Sequence, residues 1–98
     1  MKPVKSLEFD IAAFEDLAWW IEQDRQKALR IVSLIKDVQR EPFKGIGKPE
    51  PLKHELKGCW SRRIDQEHRP VYQVTEEKSG FWRVDFIIDS PLIFSPKL

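Results

Sequence analysis

The chain of 98 residues predicts an α+β fold: a short first strand, a helical hairpin, then an antiparallel three-strand meander. Three observations carry this. Two amphipathic stretches follow each other closely in the first half, with apolar residues at helical spacing. Three strand-like runs occupy the second half, joined by short polar connections. Between the halves lies a stretch rich in Pro and Gly that suits neither pattern. One domain is expected across residues 1–98, since a chain this short builds one modest core.

Residues 2–9 (KPVKSLEF) alternate in part and read as an edge strand, with Pro3 near its start where no ladder donor is needed. Asp10 is a good N-cap for the first helix, whose apolar stripe runs Ile11, Phe14, Leu17, Ala18, Ile21 and is expected to pack inward. Asp24 caps the second helix after a tight turn. Its stripe is Ala28, Ile31, Val32, Ile35 and Val38, widened by Leu34, and Pro42 prevents the helix from continuing. Two helices joined so closely form a hairpin lying on a sheet. Residues 43–58 read as a structured loop. Residues 59–64, 69–75 and 81–88 read as strands linked by connections at 65–68 and 76–80, an antiparallel arrangement.

The composition narrows the class. A hydrophobic fraction of 41% with four tryptophans argues for a folded chain rather than a disordered one. No apolar run reaches the length of a membrane span and no signal-peptide pattern opens the chain, so a cytoplasmic protein is expected. Cys59 is the lone cysteine and has no ligand spacing around it, so neither a disulfide nor a structural metal is expected. The net charge of +1 hides an uneven distribution. Residues 44–63 hold six Lys/Arg against two Asp/Glu, whereas acidic residues outnumber basic ones on both sides. A basic middle suits a polyanion partner, with Lys44, Lys48, Lys57 and Arg62 as its candidate contacts. On composition alone, a solvated charged loop explains the same pattern.

Within that middle, Glu50 sits between Pro49 and Pro51, which restrict the backbone and donate no hydrogen bond. A carboxylate held there amid Lys48, Lys53, Arg62 and Arg63 suits a positioned general base; the simpler reading is an exposed loop glutamate. Arg63 and Arg69 can share one basic face, where guanidinium groups would grip a phosphate and stabilise charge developing on it. Alternatively both are surface arginines on the solvated side of a sheet.

The segment GKPEPLKHELKGCWSRRIDQEHRPVY, residues 47–72, closely resembles the YoeB branch of the RelE-type toxins: a Gly-Lys-Pro-Glu-Pro-Leu loop, then Trp-Ser-Arg-Arg-Ile, then Glu-His-Arg-x-Val-Tyr. The resemblance spans roughly residues 5 to 76. It implies a toxin of a type II toxin–antitoxin pair that enters the ribosome and cuts exposed messenger RNA without a metal or other cofactor. The substrate's own 2′-hydroxyl attacks the adjacent phosphate. Carried over by position, Glu50 matches the general base, Arg69 the phosphate-stabilising arginine, and Lys53 and Arg63 supporting cations. Implied partners are a YefM-type antitoxin with a flexible wrapping segment, the ribosome and its messenger RNA. A homodimer, or a toxin–antitoxin hetero-oligomer that binds operator DNA, is also implied.

The ending departs from the pattern. The family donates a proton to the leaving oxygen from a terminal His followed by Tyr, but here no His follows His68 and the only tyrosine is Tyr72. His54 and His68 fall where the family often has histidine, and His68 reads as structural in its loop. Residues 83–89 read RVDFIID instead. If they are encoded CGT GTA GAT TTC ATT ATT GAT, reading from the last base of the first codon gives Cys-Arg-Phe-His-Tyr and then stop. The expectation is therefore a one-base frame change between about Thr75 and Arg83, with residues 84–98 as an out-of-frame tail that lacks the general acid. A divergent natural terminus is the alternative, and FWRVDFII remains a plausible strand. Two other readings differ in class: a non-catalytic ribosome- or antitoxin-binding relative, and a gyrase-directed relative of the same fold, against which the intact GKPEPLKHEL loop argues.

Overall fold

The computed structural model describes residues 3–78 and 80–87. Strand β1 (Val4–Phe9) leads into helices α1 (Ile11–Gln23) and α2 (Arg25–Arg40). Strands β2 (Glu50–Pro51), β3 (Cys59–Ser61), β4 (Val71–Glu76) and β5 (Trp82–Ile87) follow, with a 3-10 turn at His54–Leu56. Both helices start where an aspartate can cap them. Asp10 accepts from the Ala13 amide at 2.7 Å and Asp24 from the Lys27 amide at 3.2 Å, each meeting an amide that has no partner within its helix. Helix α2 ends before Pro42.

The five strands form one sheet in the order β1-β5-β4-β3-β2. The meander β3–β4–β5 is antiparallel as expected, and β1 is an edge strand. The pairing of β1 with β5 is parallel, because the helical hairpin carries the chain across before the meander begins. The middle loop also holds more order than its composition suggests: Glu50 and Pro51 form a two-residue strand against Ser61 and Trp60.

The core lies between the helical hairpin and the sheet. Ile31, Leu34, Ile35 and Val38 of α2 meet Tyr72, Val84 and Phe86, all buried, and Phe9 stacks on Phe86 at 4.9 Å. The second helical stripe is as expected, with Val32 at its half-buried margin. The first is corrected. Ile11, Phe14 and Ile21 are 77%, 62% and 53% exposed, whereas Ala13, Asp16 and Trp20 are buried. Helix α1 carries two apolar faces, and the one with small Ala13 and large Trp20 turns inward. An indole buries more surface than any aliphatic side chain.

Residues 84–87 of the divergent ending lie in β5, between β1 and β4. Val84 and Phe86 are almost fully buried. The Val-Asp-Phe alternation has the period a strand requires, so this part of the ending serves the sheet whatever its origin. The remainder of that tail, 88–98, lies outside the described residues.

Candidate active site

Glu50 is placed by what surrounds it. Pro49 and Pro51 leave few backbone conformations, and pairing with Ser61 fixes the carboxylate at the outer edge of the sheet. Arg69 approaches it from the residues before β4, its Nη1 lying 3.5 Å from Glu50 Oε1. Their side chains are 52% and 36% exposed, so the pair is open to solvent. An exposed pair of this kind is worth at most about 1 kcal/mol. A phosphate could therefore draw the guanidinium away from the carboxylate at small cost.

Antiparallel registry extends the geometry across the sheet. Glu50 faces Ser61, Ser61 faces Val71, and Val71 faces Ile87. Residues directly opposite each other share a face of the sheet, so Glu50 and backbone position 87 lie at the two ends of one transverse row. Three strand spacings separate them, about 14 Å at the backbone. Position 87 is where the family resemblance puts the proton-donating histidine.

Arg63 is exposed and is held by its backbone, whose N–H donates to Gly47 O at 2.6 Å. Arg63, His68 and Arg69 line one concavity of about 250 Å³ beside Glu50. Three of the four expected reaction residues are thus brought to one neighbourhood. Lys53 is exposed at the start of the 3-10 turn, and Lys44, Lys48 and Lys57 are also exposed on the middle loop. The basic segment is therefore solvent-facing, as a polyanion surface must be.

Arg62 is the exception and corrects its assignment as an RNA contact. It has no exposed surface. Its guanidinium donates to Tyr72 Oη at 3.0 Å, to Asp37 Oδ2 at 2.5 Å, and to the carbonyls of Ile46, Glu41 and Lys44. Five N–H groups make five bonds, which exhausts the side chain. Tyr72 in turn donates to Pro42 O at 2.8 Å. Burial raises the Tyr72 pKa, only partly offset by Arg62 beside it. This network ties the loop after α2 to β3 and β4, and so shapes the floor beneath the site. Nothing in the spacing of Asp37, Arg62 and Tyr72 along the chain announced it.

His68 is structural in its loop. Its Nδ1 lies 3.0 Å from Asp65 and its ring stands edge-on to Trp20. Asp65 also takes Lys27 Nζ at 2.6 Å and the amides of Glu67 and His68. Burial opposes its charge, but these donors hold its carboxyl far below the usual range. His54, in a left-handed conformation, is exposed. Among the described residues no cluster of His, Cys, Asp and Glu has the makings of a metal site, and no helix is long and apolar enough to cross a membrane.

A helical hairpin on one face of a five-strand sheet is the architecture of the RelE-like toxins. YafQ of E. coli shares this fold at 16% identity with a TM-score of 0.60, covering 85% of this chain and 88% of its own. Closer relatives carry the particular family. The model for "YoeB-like toxin of bacterial type II toxin-antitoxin system" matches residues 9–86. The toxin YoeB of Mycobacterium bovis is 53% identical over 75 residues, which cover 76% of this chain and 88% of that protein. A YoeB/ParE toxin from Agrobacterium tumefaciens superposes with a TM-score of 0.78 at 40% identity, covering 85% of this chain and 93% of its own. The YoeB–YefM heterotetramer of Staphylococcus aureus gives 0.70 at 35%, covering 84% and 90%. The YoeB dimer of the same organism gives 0.68 at 37%, covering 82% and 90%. The chain belongs to the YoeB family of type II toxins.

Proposed function

We propose that this toxin acts on messenger RNA in the ribosome, and that its present ending leaves the cutting site without its proton donor. The observation that carries the reading is the meeting of Glu50 and Arg69 at the sheet rim, 3.5 Å apart, in a family whose toxins are endoribonucleases. Glu50 takes the proton from the 2′-hydroxyl, which attacks the neighbouring phosphorus. Arg69, released from Glu50 by the incoming phosphate, stabilises the added negative charge, with Lys53 and Arg63 in support. The P–O5′ bond then breaks, and the leaving oxygen needs a proton. Residue 87 is Ile, which has none to give. The family match ends at Phe86, so it takes in three residues of the proposed out-of-frame ending and does not reach position 87.

The toxin is proposed to pair with a YefM-type antitoxin, as its S. aureus relative does. The outward apolar residues Ile11, Phe14 and Ile21 of α1 are the surface such a partner would cover.

Restoring the ending tests the reading. A chain in which residues 84–98 are replaced by Cys-Arg-Phe-His-Tyr, putting His at 87, should cut ribosome-bound messenger RNA about a hundred- to ten-thousand-fold faster than the 98-residue chain. Glu50→Gln or Arg69→Gln in the repaired chain should remove most of that gain. Equal rates for the original and repaired chains would show that the proton comes from elsewhere.

A further inference from the structure

Beside Arg63, a second cavity of about 320 Å³ opens between α2 and the middle loop. Its cations are Arg30, Lys48 and Arg63, and Gly47 and Ile64 form part of its wall. Arg30 comes from α2 and donates to Arg63 O at 3.4 Å, which sets its guanidinium at the cavity edge. Gly47 brings the loop against the helix. Its φ is +77°, and a Cβ there would lie 2.6 Å from Leu34 Cδ2, so only glycine allows the approach. Among the described residues the one carboxylate in the wall, Asp65, is occupied by Lys27, by His68 and by two backbone amides. The cavity therefore presents three cations and a carboxylate that is already engaged.

The two cavities adjoin each other. Arg63, Asp65 and Gln66 line both, and the first of them reaches Arg69. A strand whose cut phosphate sits at Arg69 would run over Arg63 and bring a neighbouring phosphate to Arg30 and Lys48.

We propose that Arg30, Lys48 and Arg63 form a second phosphate subsite, which grips the RNA strand one or more nucleotides from the cut bond and sets its register against Glu50. This rests on the RNA-cutting reading above. A guanidinium and an ammonium on opposite sides suit a phosphodiester, the first by paired hydrogen bonds and the second as a point charge.

The test is binding of a short 2′-O-methyl RNA, which cannot be cut, to the full chain, followed by fluorescence anisotropy over a range of salt. Each phosphate contact to a single strand contributes about 0.7 to the slope of log affinity against log salt. Arg30→Gln should lower the slope by about 0.7 and weaken binding at low salt, while Arg30→Lys should keep the slope. Lys48→Gln, at an exposed position where folding is not at stake, should lower it similarly. Lys36→Gln, exposed on the same helix, should change neither. Unchanged slopes in both Arg30→Gln and Lys48→Gln would overturn the subsite. If Arg69→Gln still lowers the slope in that case, the cutting-site reading stands without it. A responsive Arg30→Gln beside a silent Arg69→Gln would instead overturn the cutting-site reading and leave an isolated phosphate site. No binding by the unaltered chain would overturn the subsite.

Discussion

A guanidinium taken out of water loses several kcal/mol of solvation unless every N–H finds an acceptor. Arg62 meets that condition with one carboxylate, one phenol and three carbonyls, and Arg63, the next residue, faces solvent. Just past the end of β3, the two adjacent arginines thus point one into the interior and one to solvent. Arg62→Ala would take one donor from Asp37 and leave three carbonyls without theirs, and should cost about 3–5 kcal/mol, the range for breaking one side of a buried pair. Arg63→Ala should stay within about 0.5 kcal/mol of the parent and yet weaken RNA binding. Urea unfolding of the two variants separates these outcomes. Equal midpoints would mean that Arg62 does not pin the loop.

Helix α1 shows how a helix with two apolar faces chooses between them. Trp20 packs against Trp19 at 5.1 Å and against His68 at 5.2 Å, joining the helix to the loop that bears Arg69. Its opposite face, with Ile11, Phe14 and Ile21, gains nothing from the sheet. Trp20→Ala should therefore cost about 3–5 kcal/mol as a large-to-small core change. Phe14→Ser should change stability by no more than about 0.5 kcal/mol while loosening the antitoxin complex. Thermal melting of the free toxin and co-purification with its antitoxin measure the two effects. Loss of stability in Phe14→Ser would restore the face first expected from the sequence. Phe14→Ser with full antitoxin affinity would remove α1 from the partner interface.

The site as a whole hangs on two carboxylates, one near each end of α2. Near its start, Lys27 holds Asp65 in the loop before Arg69; near its end, Asp37 holds Arg62, Arg40 and the Ile46 amide. Burial disfavours the charged form of Asp37, but those hydrogen bonds outweigh it and lower the pKa from 3.8 to about 2. Asp65 is lowered further by the same balance of causes. Because both folded values are depressed, the unfolded chain binds more protons in acid. The stabilisation is complete above about pH 4 and is lost as pH falls from there through the folded values. Stability measured by urea titration should thus fall steadily below pH 4, and Asp37→Asn should flatten the fall. A parent protein equally stable at pH 2.5 and pH 6 would contradict this.

Local chemistry along the chain was enough to determine the elements other than β2 and the 3-10 turn. Asp10 and Asp24 announce helix starts, Pro42 a stop, and the alternation after Cys59 a meander, because caps, prolines and strand periodicity act over a few residues. The motif around Glu50 and Arg69 was legible for the same reason, being contiguous, and it named the family. Tertiary structure alone decided which face of α1 turned inward, since both faces are apolar and only the shape of the sheet discriminates between them. It alone buried Arg62 and left Arg63 free, because the acceptors for Arg62 lie 10 to 25 residues away in sequence and no local pattern records them. It also placed position 87 in one row with Glu50 and brought Arg30 from the helix layer to a cavity edge beside Arg63. Those relations depend on strand order and on packing between layers, which bring together residues that the sequence keeps far apart.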